Sequence, residues 1–342
     1  MENEENKNEK LLDVKDLSVR FYSNGREMKA VNDVSFHINK GETFGFVGES
    51  GCGKSTTSRA IIRLLADNAV VPEGEILYNG KDILKMSQAE LRKVRGREIG
   101  MIFQEPMTAL NPVITIKKQM YEQFIGTNMA KEEKEKKAVE MLSLVGIPNP
   151  DKRLNEYIHQ FSGGMRQRAM IAITLAANPK LLIADEPTTA LDVTIQDQII
   201  KLINKIKGQL GMSVLLITHD LGVVSQMCDR VAVMYAGYFV ETADTLTLFS
   251  KPRHPYTKGL IDALPSTEKK DSTLKPIQGT TPSLAELPPG CPFAPRCPYC
   301  EAICNEKMPV MKEVEPRHFS RCHFSEKLIG ATGLISAEGG DK

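Results

Sequence analysis

The chain has 342 residues, a formal charge of +1 from 44 basic and 43 acidic side chains, and 41% hydrophobic residues. That length buries a sizeable core, and the near-balance of charge excludes the basic footprint of a nucleic-acid binder. The polar residues 1–10 have no apolar segment behind them, so they read as a frayed tail and not a secretory signal, and no apolar run approaches the roughly 20 residues that span a bilayer.

Along the chain, residues 11–47 are strand-like, with alternating segments 14–21, 30–38 and 43–47 separated by Asn24-Gly25 and Lys40-Gly41 turn signals, which predicts a mostly antiparallel sheet. After a glycine-rich turn, residues 54–65 carry Ile61, Leu64 and Leu65 at helical spacing, and hairpin-like segments follow up to Phe103. Residues 131–145 predict a charged helix with Ala138, Leu142 and Val145 on one stripe, stopped at Gly146-Ile147-Pro148; it opens a helical insertion. Strand and helix then alternate over 181–184, 193–210, 214–218, 221–227 and 230–235, the pattern of a largely parallel sheet. Beyond residue 250, prolines at 252, 255, 265, 276, 282, 288 and 289 predict little regular structure, and a domain boundary is placed there. Of seven cysteines, five (Cys291, Cys297, Cys300, Cys304 and Cys322) lie in this last stretch. With no export signal, a reducing compartment favours a metal or cluster site over a disulfide framework.

The segment Gly48-Glu49-Ser50-Gly51-Cys52-Gly53-Lys54-Ser55-Thr56 follows the apolar run 44–47 and opens a helix, the context a phosphate-binding P-loop requires. Its glycines let successive N–H groups curl round phosphates while the helix N-terminus adds partial positive charge. Lys54 is expected on the β- and γ-phosphates of ATP and the Ser55 hydroxyl on Mg²⁺. The apolar run 181–184 ends in Asp185-Glu186, which assigns Asp185 to the Mg²⁺ shell and Glu186 to polarising the attacking water.

With these motifs in order, the chain resembles the nucleotide-binding subunits of ABC transporters over roughly residues 11–245. Phe161-Ser162-Gly163-Gly164-Met165-Arg166-Gln167-Arg168 resembles the family signature, with Met165 where Gln is usual. The resemblance implies that Ser162, Gly163 and Gly164 face the γ-phosphate of a nucleotide held by a partner cassette. It also implies Phe21, or adjacent Tyr22, stacked on adenine, and Gln104 sensing Mg²⁺ and water. Ala190-Leu191-Asp192 resembles the D-loop, and His219 the γ-phosphate switch. Catalysis is then assigned to Glu186, His219, Gln104 and Lys54. The stretch 105–119, including Met107-Thr108-Ala109-Leu110-Asn111-Pro112, resembles the groove that receives a coupling helix from a transmembrane partner.

Farther on, Arg253-His254-Pro255-Tyr256-Thr257 and Gly290-Cys291-Pro292-Phe293-Ala294-Pro295-Arg296-Cys297-Pro298 resemble the C-terminal extension of oligopeptide and dipeptide importer ATPases. Cys291, Cys297, Cys304 and Cys322 match four tail cysteines that hold a [4Fe-4S] cluster in some members. Cys300 creates Cys297-x-x-Cys300, which leaves zinc open as the alternative. The resemblance implies an α/β P-loop NTPase with a mixed sheet core, an antiparallel β subdomain, a helical subdomain at about 107–177 and a small irregular C-terminal metal- or cluster-binding extension. The ATPase domain is expected over 1–250 and the extension over 251–342. The expected function is ATP hydrolysis that drives peptide uptake from the cytoplasmic face of the membrane. Expected partners are a related second ATPase as a heterodimer, two permease subunits and, indirectly, an extracytoplasmic binding protein, with no nucleic acid. Importers of nickel, glutathione or oligosaccharides, and soluble ABC ATPases of DNA repair or translation, are the alternatives.

Overall fold

The computed structural model describes residues 9–23, 25–189, 192–264 and 277–328. Its strands begin with β1 (Lys10–Ser23), β2 (Arg26–Asn39), β3 (Thr43–Val47), β4 (Ala69–Tyr78), β5 (Lys81–Asp82) and β6 (Ile99–Ile102). They continue with β7 (Leu181–Asp185), β8 (Ser213–Thr218), β9 (Arg230–Tyr235), β10 (Tyr238–Asp244), β11 (Lys312–Glu315) and β12 (His318–Ser320). The helices are α1 (Lys54–Ile61), α2 (Gln88–Val94), α3 (Pro106–Ala109), α4 (Ile116–Glu122), α5 (Lys131–Leu144), α6 (Pro150–Arg153) and α7 (Gly163–Leu175). After them come α8 (Val193–Leu210), α9 (Leu221–Met227), α10 (Thr245–Ser250), α11 (Pro255–Asp262) and α12 (Ala302–Glu306). Two compact units interleave along the chain, one built on Leu77–Ile217 with His37–Thr43, the other on Val14–Phe36, Phe44–Ile76 and the chain from Thr218 onward.

In the first unit β6, β7 and β8 pair in parallel, with Ile99 opposite Leu181 and Leu181 opposite Ser213. Every residue of these strands is buried. Parallel strands covered on both faces read as unbroken apolar runs, which is why 181–184 and 214–218 are recognisable in sequence. Helix α8 starts on Asp192, whose Oδ1 accepts the Ile195 N–H at 2.9 Å, and stops at left-handed Gly211. Its buried Ile199, Ile200, Ile203 and Ile206 recur at the three-and-four spacing of one helix face. The α5 stripe is buried as expected, with Ala138 and Leu142 fully inaccessible. The hairpin expected before Phe103 is present as antiparallel β4 and β5, with Leu77 opposite Asp82, but helix α2 replaces the hairpin-like reading of the stretch that follows. Ser87 and Glu90 form a reciprocal capping box there, a local signal that outweighs the short apolar alternation.

In the second unit β1 and β2 are neighbours joined across residues 24–25, and β4 lies on the other side of β1. A second sheet is mixed: β3 runs parallel to β9, β9 and β10 are antiparallel, and β12 and β11 extend it antiparallel beyond β10. Phe36 of β2 packs against Phe44 and Phe46 of β3, and Phe46 in turn against Phe239 of β10, with the Phe36 and Phe46 ring centroids 5.0 Å apart. Each such buried ring contributes roughly 1.5–3 kcal/mol. The β11–β12 hairpin and α11 correct the expectation of an irregular tail. A three-residue strand such as β12 is too short to show a period, and it forms because β10 offers an unpaired edge.

Buried Glu241 fastens this extension to β10: its carboxylate accepts the N–H groups of Arg253 at 2.6 Å and His254 at 2.9 Å and lies 2.7 Å from His318 Nε2. His254 caps α11, its Nδ1 accepting the Tyr256 N–H at 3.1 Å, and burial pushes its pKa down from 6.5 to about 3. The native state therefore holds His254 neutral where the unfolded chain protonates it, so stability is complete above pH 6.5 and falls as pH drops from there toward 3. At about pH 5 the expected loss is about 2 kcal/mol. Denaturant midpoints at pH 5 and 7.5 check it: His254→Asn, which retains a capping acceptor, is expected to flatten this component, and an unchanged slope would contradict the assignment.

No helix among the described residues is long and apolar enough to cross a membrane.

Candidate active site

The glycine loop leaves fully buried β3 and enters α1, so the strand–turn–helix context is present. Two glycines are irreplaceable on steric grounds. At Gly48 (φ 156°) an added Cβ would lie 2.1 Å from the Met234 carbonyl oxygen, and at Gly53 (φ 111°) 2.6 Å from that of Ala30. The Cys52 carbonyl accepts the Gly237 N–H at 2.8 Å, pinning the loop to the turn after β9. Cys52 itself is fully buried, and burial raises its thiol pKa, as befits a packing residue. Lys54 is 4% exposed, and its ammonium donates to the carbonyls of Gly48 at 2.7 Å and Glu49 at 2.9 Å. No side chain caps α1, whose N-cap is Gly53, and Ser55 and Thr56 follow in its first turn.

Glu49 is held by the C-terminal extension. Its N–H donates to the Tyr256 hydroxyl at 3.0 Å, and its carboxylate accepts both Arg296 terminal nitrogens, at 2.8 and 3.0 Å, and the Thr281 hydroxyl at 2.5 Å. Burial raises the Glu49 carboxyl, but the Arg296 and Thr281 hydrogen bonds with the Arg296 and Lys54 charges outweigh it, and the pKa is lowered overall. Arg296 lies within the tail motif and Thr281 outside any motif, and neither is tied to residue 49 by the sequence, because only folding brings them there.

In the other unit Asp185 ends β7 at 1% exposure. Glu186 follows in the left-handed region (φ 47°), its N–H donating to the Ile217 carbonyl at 2.9 Å. For a residue with a Cβ this conformation costs roughly 1–2 kcal/mol, a strain that functional sites retain. The Glu186 carboxylate accepts Gln104 Nε2 at 3.0 Å and the Thr189 hydroxyl at 2.7 Å. The structure thus joins Gln104 to Glu186 across the paired strands β6 and β7. Thr189, three residues beyond Glu186, is a partner the sequence reading missed. Buried Gln167 of α7, part of the signature but given no role of its own by the sequence, donates to the Pro187 carbonyl at 2.6 Å and ties the signature helix to the same turn.

Ser162 caps α7, its hydroxyl accepting the Met165 N–H at 3.4 Å, and Ser162 and Gly163 are exposed with open space around Gly163. This 13-residue helix directs an unobstructed N-terminus outward, a ready anion site. Asp192 serves as the α8 cap, while Ala190 and Leu191 lie outside the described residues. His219 is exposed after β8, and adjacent Asp220 caps α9 by accepting the N–H groups of Gly222 and Val223. On β1, Phe21 is half-buried and Tyr22 is 50% exposed, the alternation that puts neighbouring strand side chains on opposite faces. Within the groove stretch, Met107 and Val113 are exposed apolar residues at 42% and 76%.

Among the described residues, no three His, Cys, Asp or Glu side chains are assembled to hold a metal ion, so the expected metal-binding extension and its zinc alternative gain no support there. A single zinc ion needs thiolates converging at about 2.3 Å from one point. Here Cys291, Cys297, Cys300, Cys304 and Cys322 instead line a cavity of about 260 Å³. Burial pushes the Cys291 thiol up to about 12, with Cys322, Cys304 and Cys297 beside it adding to the rise, and Cys297 up to about 11.

Comparison with known proteins agrees with this arrangement. Residues 31–189 match the ABC transporter family, and residues 240–304 match the oligopeptide/dipeptide transporter C-terminal region. The dipeptide transport ATP-binding protein DppD of Bacillus subtilis is 50% identical over 321 residues, covering 93% of this chain and 96% of that protein. The oligopeptide transport ATP-binding protein OppD of the same organism is 51% identical over 313 residues, covering 91% and 87%. Among solved structures, a dimeric ATP-binding cassette bound to ADP and Pi superposes with a TM-score of 0.61 at 28% identity, covering 68% of this chain and 98% of that one. Because half of the aligned residues are shared across nine-tenths of its length, this chain belongs to the ABC transporter family, in the group that carries the oligopeptide/dipeptide transporter C-terminal region.

Proposed function

We propose that this chain is the ATP-hydrolysing subunit of a membrane importer of di- and oligopeptides, working at the cytoplasmic face. The observation that carries this reading is the two family regions in order on a chain half identical to peptide-transport ATP-binding proteins. In this reading Lys54 leaves the loop carbonyls it caps and takes the β- and γ-phosphate oxygens, while the N–H groups of residues 51–55 cradle them. Ser55, Gln104 and Asp185 are hard oxygen donors of the kind Mg²⁺ selects, and that ion supplies neutralisation of phosphate charge when bound. Glu186 takes a proton from the attacking water, with Gln104 and Thr189 holding its carboxylate and His219 steadying the γ-phosphate. The outward N-terminus of α7 completes the site of a second cassette, which makes one chain alone a poor enzyme. Heterodimerisation with a related ATPase follows the family resemblance, and Met107 and Val113 are apolar contacts for a permease.

For the tail we infer a [4Fe-4S] cluster on Cys291, Cys297, Cys304 and Cys322. A cube of this size needs thiolates spread round a cavity, and the Cys291 thiol feels the other three as neighbours while Cys300 is exposed at the edge. When bound, such a group cross-links a segment too small to hold itself by burial.

Anaerobic purification from native membranes tests both. Expected are two polytopic membrane subunits and a second ATPase in the complex, about four irons per chain with broad visible absorption, and ATPase activity raised by peptide-loaded binding protein. Recovery with ribosomes or DNA, or a colourless zinc protein, would contradict the transport and cluster readings respectively.

A further inference from the structure

Arg296 is placed to govern the phosphate loop from outside it. Its side chain is 5% exposed, and all five of its N–H donors are used. Nε donates to the Gln278 carbonyl at 2.9 Å; Nη1 to Glu49 Oε2 at 2.8 Å and the Tyr235 hydroxyl at 3.2 Å; Nη2 to Glu49 Oε1 at 3.0 Å and the Ile277 carbonyl at 3.4 Å. Its guanidinium also lies over the Tyr235 and Phe293 rings, with the carbon 5.7 and 5.9 Å from their centroids. Tyr256 reinforces the grip by accepting the Glu49 N–H, and its ring packs on Tyr235 and Phe293. A planar fork satisfied on every donor is rigid, and it holds the second residue of a loop whose N–H groups must be aimed before phosphate arrives.

We propose that the C-terminal extension is a brace for the phosphate loop, with Arg296 as a positioning residue that sets nucleotide affinity by fixing Glu49. The inference rests on the nucleotide reading of residues 48–56. It gives the extension a role in ATP binding in addition to its own folding. Arg296 adjoins Cys297, a lining residue of the thiol cavity.

The test is MgATP affinity, KM for ATP and kcat on the full-length protein, for Arg296→Ala, Arg296→Lys, Glu49→Gln and the Arg296→Ala/Glu49→Gln double variant. Expected are about 5- to 20-fold weaker binding and a matching rise in KM for each of Arg296→Ala and Glu49→Gln, with kcat at saturating ATP lowered by no more than about twofold. The double variant is expected to be no weaker than either single one, because both remove the same interaction, and Arg296→Lys, which keeps charge without the fork, falls between. Glu49→Gln leaves every tail residue in place, so it reports on the brace even where Arg296→Ala disturbs the extension. Unchanged affinity in Glu49→Gln, losses that multiply in the double variant, or a fall in kcat at constant KM would overturn the brace. Absence of MgATP binding by the unaltered protein would overturn the nucleotide reading and the brace with it.

Discussion

Glu186→Gln is expected to bind MgATP about as tightly as the unaltered chain while its turnover falls about 10²- to 10⁴-fold, the range that general-base assistance supplies. The substitution is nearly isosteric. An amide oxygen still accepts from Gln104 and Thr189, which now sit 3.0 and 2.7 Å from the carboxylate, so the strained turn at φ 47° retains its supports. Only the capacity to take a proton from water is lost. Because ATP contacts would then outlast the usual turnover time, cassettes closed over nucleotide should accumulate and elute as a dimer in MgATP but not in MgADP. Single-turnover hydrolysis and size-exclusion chromatography check both halves, and ordinary hydrolysis in this variant would remove Glu186 from the role of base.

The second large effect is expected at Lys54. Lys54→Met keeps most of the buried stem but removes the ammonium that bonds to the Gly48 and Glu49 carbonyls. Charge-assisted hydrogen bonds contribute about 1.5–3 kcal/mol each, so loss of the phosphate contacts is expected to weaken MgATP binding about 10²-fold or more. Nucleotide-free protein should also lose about 1–3 kcal/mol of stability, since the two carbonyls are left without their donor. Calorimetric titration reads the first effect. The upward shift of the melting temperature by MgATP reads it independently, because a ligand bound only by the native state stabilises in proportion to its affinity. A full thermal shift in Lys54→Met would contradict the assignment.

Features encoded by neighbours in sequence were open to reading. The glycine loop is one, because a strand, a turn that only glycine can make and a helix follow within a few residues. Helix α8, with Asp192 at its start and Gly211 at its end, is another. Helix α2 is equally local, its Ser87–Glu90 capping box lying within four residues, but the short alternation around it reads as hairpin. The strands of the tail were not readable, because three- and four-residue segments gain their conformation from the edge of β10 and not from their own side chains.

Residue order alone was enough for the parallel β–α alternation of the first unit and for the ordered motifs that place the chain in its family, since buried strands and helix faces write their periods directly into hydrophobicity. Folding was needed to show that Gln104 meets Glu186 at a sequence separation of 82, that Arg296 grips Glu49 at a separation of 247, and that the five tail cysteines line one cavity. Contacts of that range depend on how sheets stack their connections. No local pattern of residue types carries that information, so the chemistry of these side chains becomes specific only when the backbone brings them within hydrogen-bonding distance.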